Sequence, residues 1–260
     1  MIASLSMYDW PEERAPSDAF WAAVRDHLRA DGFDAPDELT RDRHGPDVWG
    51  DPSLLIGQTC GLPYVTGRCG NAVVIARPSY AVPGAGDGLY SSALICRQSE
   101  GESITDFRGR RAAINEYGSQ SGCHALADAA GADQFFGSVV LSGSHRNSAV
   151  MVAAQRADIA ALDAVAWALF QQIEPDASAR LQVIGWSRQV PALPFITAEK
   201  NAQHAPALVA ALSAGCKAVQ GTGIPVSVVP ATGEDYGPIR AMADGLTGRR
   251  LAPNARPLPI

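Results

Sequence analysis

Short apolar runs closed by Gly, Pro or small polar residues alternate along this chain with longer stretches whose apolar residues recur at three- and four-residue spacing. The short runs predict strands at Ile2 to Met7, Ser53 to Gly57, Ala72 to Ala76, Leu89 to Cys96, Arg110 to Ile114, Ser138 to Leu141, Asp158 to Leu162, Leu181 to Trp186 and Phe195 to Thr197. The longer ones predict helices from Ser17 to Ala30, where Phe20, Trp21, Val24 and Leu28 form the apolar stripe, and from Ala125 to Ala130, Asn147 to Arg156, Asp163 to Phe170 and Pro206 to Ala214. Asp31 to Pro52 reads as loop or weakly ordered strand, and Gln58 to Gly61 as a turn. No internal repeat or low-complexity segment interrupts the alternation. Strand and helix in succession argue for an α/β protein with parallel sheets.

In such sheets ligands bind beyond the carboxyl ends of strands. The polar signatures fall at those ends: Tyr8-Asp9-Trp10, Gln58-Thr59, Ser119-Gln120-Ser121, Ser144-His145 and Asp163. The stretch from Arg110 to Leu126 is the most informative. A short apolar strand runs into Ser119-Gln120-Ser121-Gly122-Cys123 and then into an Ala/Leu-rich helix. Free N–H groups, hydroxyls and the positive end of a helix dipole converge at such a start and suit an anion. A plain helix cap at Ser119 or Ser121 is the alternative. Cys123 there is either a thiol of lowered pKa or a small buried residue, the second fitting better.

Size and charge narrow the field. At 260 residues the chain can bury one large core or two smaller ones. The net charge of −6, with no basic tract, argues against a nucleic-acid partner. No apolar run spans a bilayer, so no membrane insertion is expected. Ile2 to Met7 reads as a strand followed at once by Asp9, not as a signal peptide, so the chain as written reads as cytoplasmic or as one whose leader is gone. The five cysteines form no Cys-x-x-Cys pair, which indicates neither a zinc knuckle nor a full disulfide framework. No metal or cofactor is expected.

The order Tyr8-Asp9, Leu55-Ile56-Gly57-Gln58-Thr59-Cys60-Gly61, Ser119-x-Ser121-Gly122, Gly143-Ser144-His145, Ala157 to Asp163 and Leu193-Pro194-Phe195 resembles the phosphate/phosphite/phosphonate substrate-binding proteins of ABC transporters. The resemblance covers nearly the whole chain. It implies a type II periplasmic-binding-protein fold: two α/β lobes, each a mixed, mostly parallel sheet flanked by helices, with the ligand in a cleft between them. Lobe one would be residues 1–88 plus 187–260 and lobe two 89–186, with hinges near 83–90 and 183–190. The implied function is capture of a small anion such as phosphate or a phosphonate, linked to ABC-type uptake through a permease.

Carried over by position, Ser119, Gln120, Ser121 and Gly122 would form the oxyanion cradle. His145 would donate a hydrogen bond, with a surface-loop histidine as its bland counterpart. Asp163 would accept from a protonated phosphoryl oxygen or a ligand amine while also suiting a helix cap. Tyr8, Gln58 and Thr59 would contribute from lobe one, with Tyr64 or Tyr80 as weaker candidates. Trp10, Trp167 and Trp186 could wall the pocket, though core packing fits Trp167 better. Two competing readings remain: a cytoplasmic enzyme on the same fold with His145 and Asp163 as acid and base, and a cytoplasmic sensor. No nucleophile elbow, P-loop or metal-ligand cluster favours the enzyme.

Overall fold

The computed structural model describes residues 1–259. In chain order its strands are β1 (Ile2–Ser4), β2 (Leu54–Gln58), β3 (Val73–Ser79), β4 (Ala85–Gly86), β5 (Leu89–Tyr90), β6 (Ser92–Arg97), β7 (Arg111–Ile114), β8 (Ser138–Leu141), β9 (Ile159–Asp163), β10 (Leu181–Trp186), β11 (Val190–Pro191), β12 (Phe195–Thr197) and β13 (Ser227–Pro230). The chain divides into two units. The first comprises Met1–Ala81, Ala85–Leu89 and Pro191–Gly237, and the second Val82–Gly84, Tyr90–Val190 and the chain from Pro238 onward.

The first unit has a five-stranded sheet in the order β1-β2-β12-β3-β13. β1 and β2 run parallel, β12 lies antiparallel to both β2 and β3, and β13 is antiparallel to β3. Every residue of β2 is buried, which is why Leu54-Leu55-Ile56 reads as a continuous apolar run and not as an alternation. The helices Arg14–Ala30 and Ala205–Ala218 place Phe20, Trp21, Val24, Leu28, Leu208 and Leu212 in one core with Leu55, Ile56, Ile75 and Phe195. Burying each such side chain stabilises the fold by about 1.5–3 kcal/mol.

The first helix starts at Arg14, three residues before the expected Ser17. Pro11 opens a 3₁₀ turn at Pro11–Glu13 that leads directly into Arg14, so Ser17 becomes a buried interior residue. Asp18 pairs with Arg41. Gly215 lets the two helices approach closely: a Cβ there would fall 2.7 Å from Val24 Cγ2 and 2.8 Å from Phe20 Cε2.

The second unit has the order β10-β6-β9-β7-β8. β7 runs parallel to β8 and to β9, whereas β6 is antiparallel to β9 and β10. Both sheets are therefore mixed, α/β and flanked by helices. The carboxyl ends of β7, β8 and β9 all lie along one edge, each followed by a turn into a helix: Gln120–His124 continuing as Ala125–Ala130, His145–Ala153 and Ala164–Ile173.

Residues 238–259 pack with the second unit, whereas the expected grouping assigned 187–260 to the first lobe. The reason is a set of long-range bonds. Gln134 and Phe136 donate their N–H groups to the carbonyls of Arg250 and Leu251 at 2.7 and 2.9 Å. The Asn254 carboxamide exchanges two bonds with Val139 of the edge strand β8, 2.9 and 3.0 Å, much as a further strand would. No helix among the described residues is long and apolar enough to cross a membrane.

Candidate functional site

In the second unit the three strand ends bring Ser119–Gly122, His145 and Asp163 to one edge of the sheet. The segment Gln120–His124 is a π turn: the Ser119 carbonyl accepts from both Cys123 N at 3.3 Å and His124 N at 3.1 Å. Such wide turns recur at functional sites because they redirect side chains out of helical register. Ser121 Oγ lies 2.8 Å from His145 Nε2. Two side chains 24 residues apart, each following a parallel strand, thus form one hydrogen-bonded pair.

Burial pushes the His145 ring down to about 4, only partly offset by the Ala161 backbone, so the imidazole is neutral at pH 7. Ser119 Oγ accepts from Gly122 N at 3.0 Å and therefore caps the turn. Asp163 Oδ1 accepts from Val165 N and Ala166 N at 2.8 and 3.1 Å and caps its own helix. Gln120 turns inward: its Nε2 approaches Met242 Sδ at 2.9 Å and its Oε1 has no hydrogen-bond partner among the described residues. Cys123 is fully buried and burial pushes its thiol up to about 12, in keeping with a small packing residue.

Gly122 is required by crowding. A Cβ there would fall 2.0 Å from Asn115 Oδ1 and 3.2 Å from His145 Cε1. Asn115, directly after β7, thus shapes the turn, and sequence reading assigned it no part. Its place just beyond a predicted strand end was the available signal.

In the first unit Tyr8 and Tyr80 are 5% and 4% exposed and meet edge to face, centroids 5.3 Å apart. Gln58 Nε2 donates to Tyr80 Oη at 3.1 Å. These three line a small pocket of about 20 Å³ with Phe20, Phe195 and Ile224, enough for one water. Tyr80, the weaker candidate from sequence, therefore belongs with Tyr8 and Gln58. Thr59 turns away from them: fully buried, it directs Oγ1 to the Cys60 carbonyl at 3.3 Å and Cys69 Sγ at 3.7 Å. Tyr64 packs against Tyr236 at 5.9 Å and takes no part in the Tyr8 group. Trp167 stacks on Phe170 in the core. Sequence reading also missed Arg41, whose guanidinium clamps Asp9 through bonds of 2.6 and 2.9 Å and fixes the loop carrying Tyr8. Its partner lies 32 residues away, beyond any local pattern.

A family model described as "ABC transporter, phosphonate, periplasmic substrate-binding protein" matches residues 54–231. No curated protein matches the chain. Among solved structures, a binding-protein component of an ABC phosphonate transporter from Pseudomonas aeruginosa is similar at a TM-score of 0.69 and 15% identity, over 93% of this chain and 84% of that one. PhnD1 from Prochlorococcus marinus, in complex with methylphosphonate, is similar at 0.69 and 14%, over 94% and 97%. The periplasmic aliphatic sulphonate binding protein SsuA from Escherichia coli is similar at 0.60 and 13%, over 94% and 85%. At these identities the likeness is one of fold: that of type II periplasmic binding proteins.

Proposed function

The chain belongs to the periplasmic substrate-binding family of ABC phosphonate transporters, and from that premise we propose that this solute-binding protein captures a phosphonate or a similar phosphoryl oxyanion. The proposed contacts in the second unit are the hydroxyls of Ser119 and Ser121, the N–H groups of the turn they open, His145 and Asp163. In the first unit Tyr8, Tyr80 and Gln58 form a separate buried polar group. The observation that carries the reading is the 2.8 Å Ser121–His145 pair at adjacent strand ends.

These residues include no lysine or arginine. The anion would be held by dipoles and hydroxyls, which cost little reorganisation and suit an oxyanion of low charge. The Asp163 carboxylate would repel a fully deprotonated oxyanion and accept from a protonated one. That favours a phosphonate monoanion over a sulfonate of similar shape, which has no proton to give. The acid–base reading of His145 and Asp163 finds no support in the family match, which is to a substrate-binding protein.

Isothermal titration of methylphosphonate, phosphate, methanesulfonate and sulfate into the wild type and Ser121→Ala tests this. The phosphoryl ligands should bind, and Ser121→Ala should weaken them about tenfold, the worth of roughly one hydrogen bond to a charged group. Sulfonate binding as tight as phosphonate, or affinity untouched in the variant, would overturn the assignment. The reading includes docking of the loaded protein on an ABC permease in the family's compartment, the periplasm. Ligand-dependent co-purification with the permease, and cell fractionation, check those two parts.

A further inference from the structure

The first unit also has a pocket at the opposite end of β2 from the Gln58 side chain. It lies where β2 and β3 begin and β12 ends, has a volume of about 410 Å³, and is lined by Trp49, Pro52, Asn71, Ala198, Glu199 and Lys200 among others. Ligand pockets are commonly roughly 300–1,000 Å³. Asp51, on its rim, precedes β2 and Gln58 ends it, so the length of that strand, about 17 Å, separates the two places.

The charges around this pocket are few and unequally committed. Asp51 is saturated: its carboxylate accepts from Ser53 N and Oγ at 2.8 and 2.6 Å and from Arg43 Nη2 at 2.8 Å. Glu199 accepts one bond, from Asn71 Nδ2 at 3.2 Å. Lys200 is exposed and makes no ion pair among the described residues. One carboxylate with spare capacity and one ammonium without a partner therefore stand beside an apolar wall of Trp49, Pro52 and Ala198. Trp49 is held rigidly, donating its indole N–H to the Gln58 carbonyl at 3.1 Å. The first unit carries nine basic and sixteen acidic side chains, a net −7, which disfavours a polyanion there.

We propose that this pocket is a second small-molecule site that takes a compact zwitterion of the amino-acid type. Its carboxylate would meet Lys200, its ammonium Glu199 and Asn71 Oδ1, and its short apolar body the Trp49 wall. None of the polar groups proposed to hold the zwitterion is among the residues assigned to the phosphoryl ligand, and Trp49 touches the Tyr8 group only through the Gln58 backbone carbonyl.

Calorimetric titration with L-valine, L-threonine and L-proline, set against isovalerate and isobutylamine, which each carry only one of the two charges, tests the proposal. At least one of the three amino acids should bind the wild type and Ser121→Ala alike, and at least tenfold more tightly than either half-charged compound. Lys200→Glu and Glu199→Gln alter exposed side chains, so folding is not at stake. Lys200→Glu should weaken the zwitterion about tenfold and Glu199→Gln a few-fold, leaving methylphosphonate titrations unchanged. Absence of binding by all three amino acids, equal binding by isovalerate, or affinity retained in Lys200→Glu would overturn it. Because the amino acids are titrated by themselves, this outcome is separable from any failure of the phosphoryl assignment.

Discussion

His145 is a neutral base by construction. Its ring is held at about 4 against 6.5 for a free histidine, and Ser121 Oγ occupies Nε2. Between those values the unfolded chain binds a proton that the folded chain refuses, so stability is fully present above about pH 6.5 and falls as the pH drops toward 4. Urea midpoints at pH 7.5 and 4.5 should differ markedly in the wild type and less in His145→Asn, which keeps a hydrogen-bonding partner for Ser121. An unchanged pH slope in the variant would show that His145 is not the titrating group. Some slope should persist in either protein, because burial pushes His124 down as well. Above pH 6.5 phosphoryl affinity should not track this histidine at all.

At the scale of elements, close approach decides more than composition does. The helices Arg14–Ala30 and Ala205–Ala218 meet at Gly215, where the Phe20 ring and Val24 leave no space for a side chain. Gly215→Val should overpack that crossing and cost about 1–3 kcal/mol, read as a lower urea midpoint with an unchanged slope. No loss of stability would mean that the crossing yields freely. The same scale explains what the sequence pattern misassigned. The wide turn at Gln120–His124 is a matter of which carbonyl each N–H finds, and nothing in Ser-Gln-Ser-Gly-Cys-His specifies a π bond in place of an α bond. β13 escaped notice because its residues are largely exposed and carry no apolar alternation. β6 and β12 run against their neighbours, although strands alternating with helices pointed to parallel pairing. A run of apolar residues reports burial and not direction.

For the whole molecule, the second unit is completed by the chain's last segment. Leu251, Ala252, Ala255 and Leu258 are buried, Met242 receives Gln120, and Asn254 covers the edge of β8. A chain ending at Gly237 should lose hydrogen-exchange protection across β7 and β8 while β2 and β3 keep theirs, since the first unit's core draws on none of the removed residues. Protection retained in β7 and β8 would show that the segment is dispensable.

Local pattern along the chain was enough to establish the α/β alternation, most strand and helix positions, the apolar stripe of the first helix, and the polar residues at strand ends from which the family could be recognised. These are local properties, set by periodicity and by the residues that close each run. Only the tertiary structure decided that Ser121 meets His145, that Tyr80 joins Tyr8 and Gln58 while Thr59 and Tyr64 turn away, that Arg41 holds Asp9, and that residues 238–259 belong with the second unit. Each of these depends on a contact between distant positions, whose partners are chosen by packing and hydrogen-bond satisfaction that no short window of sequence contains.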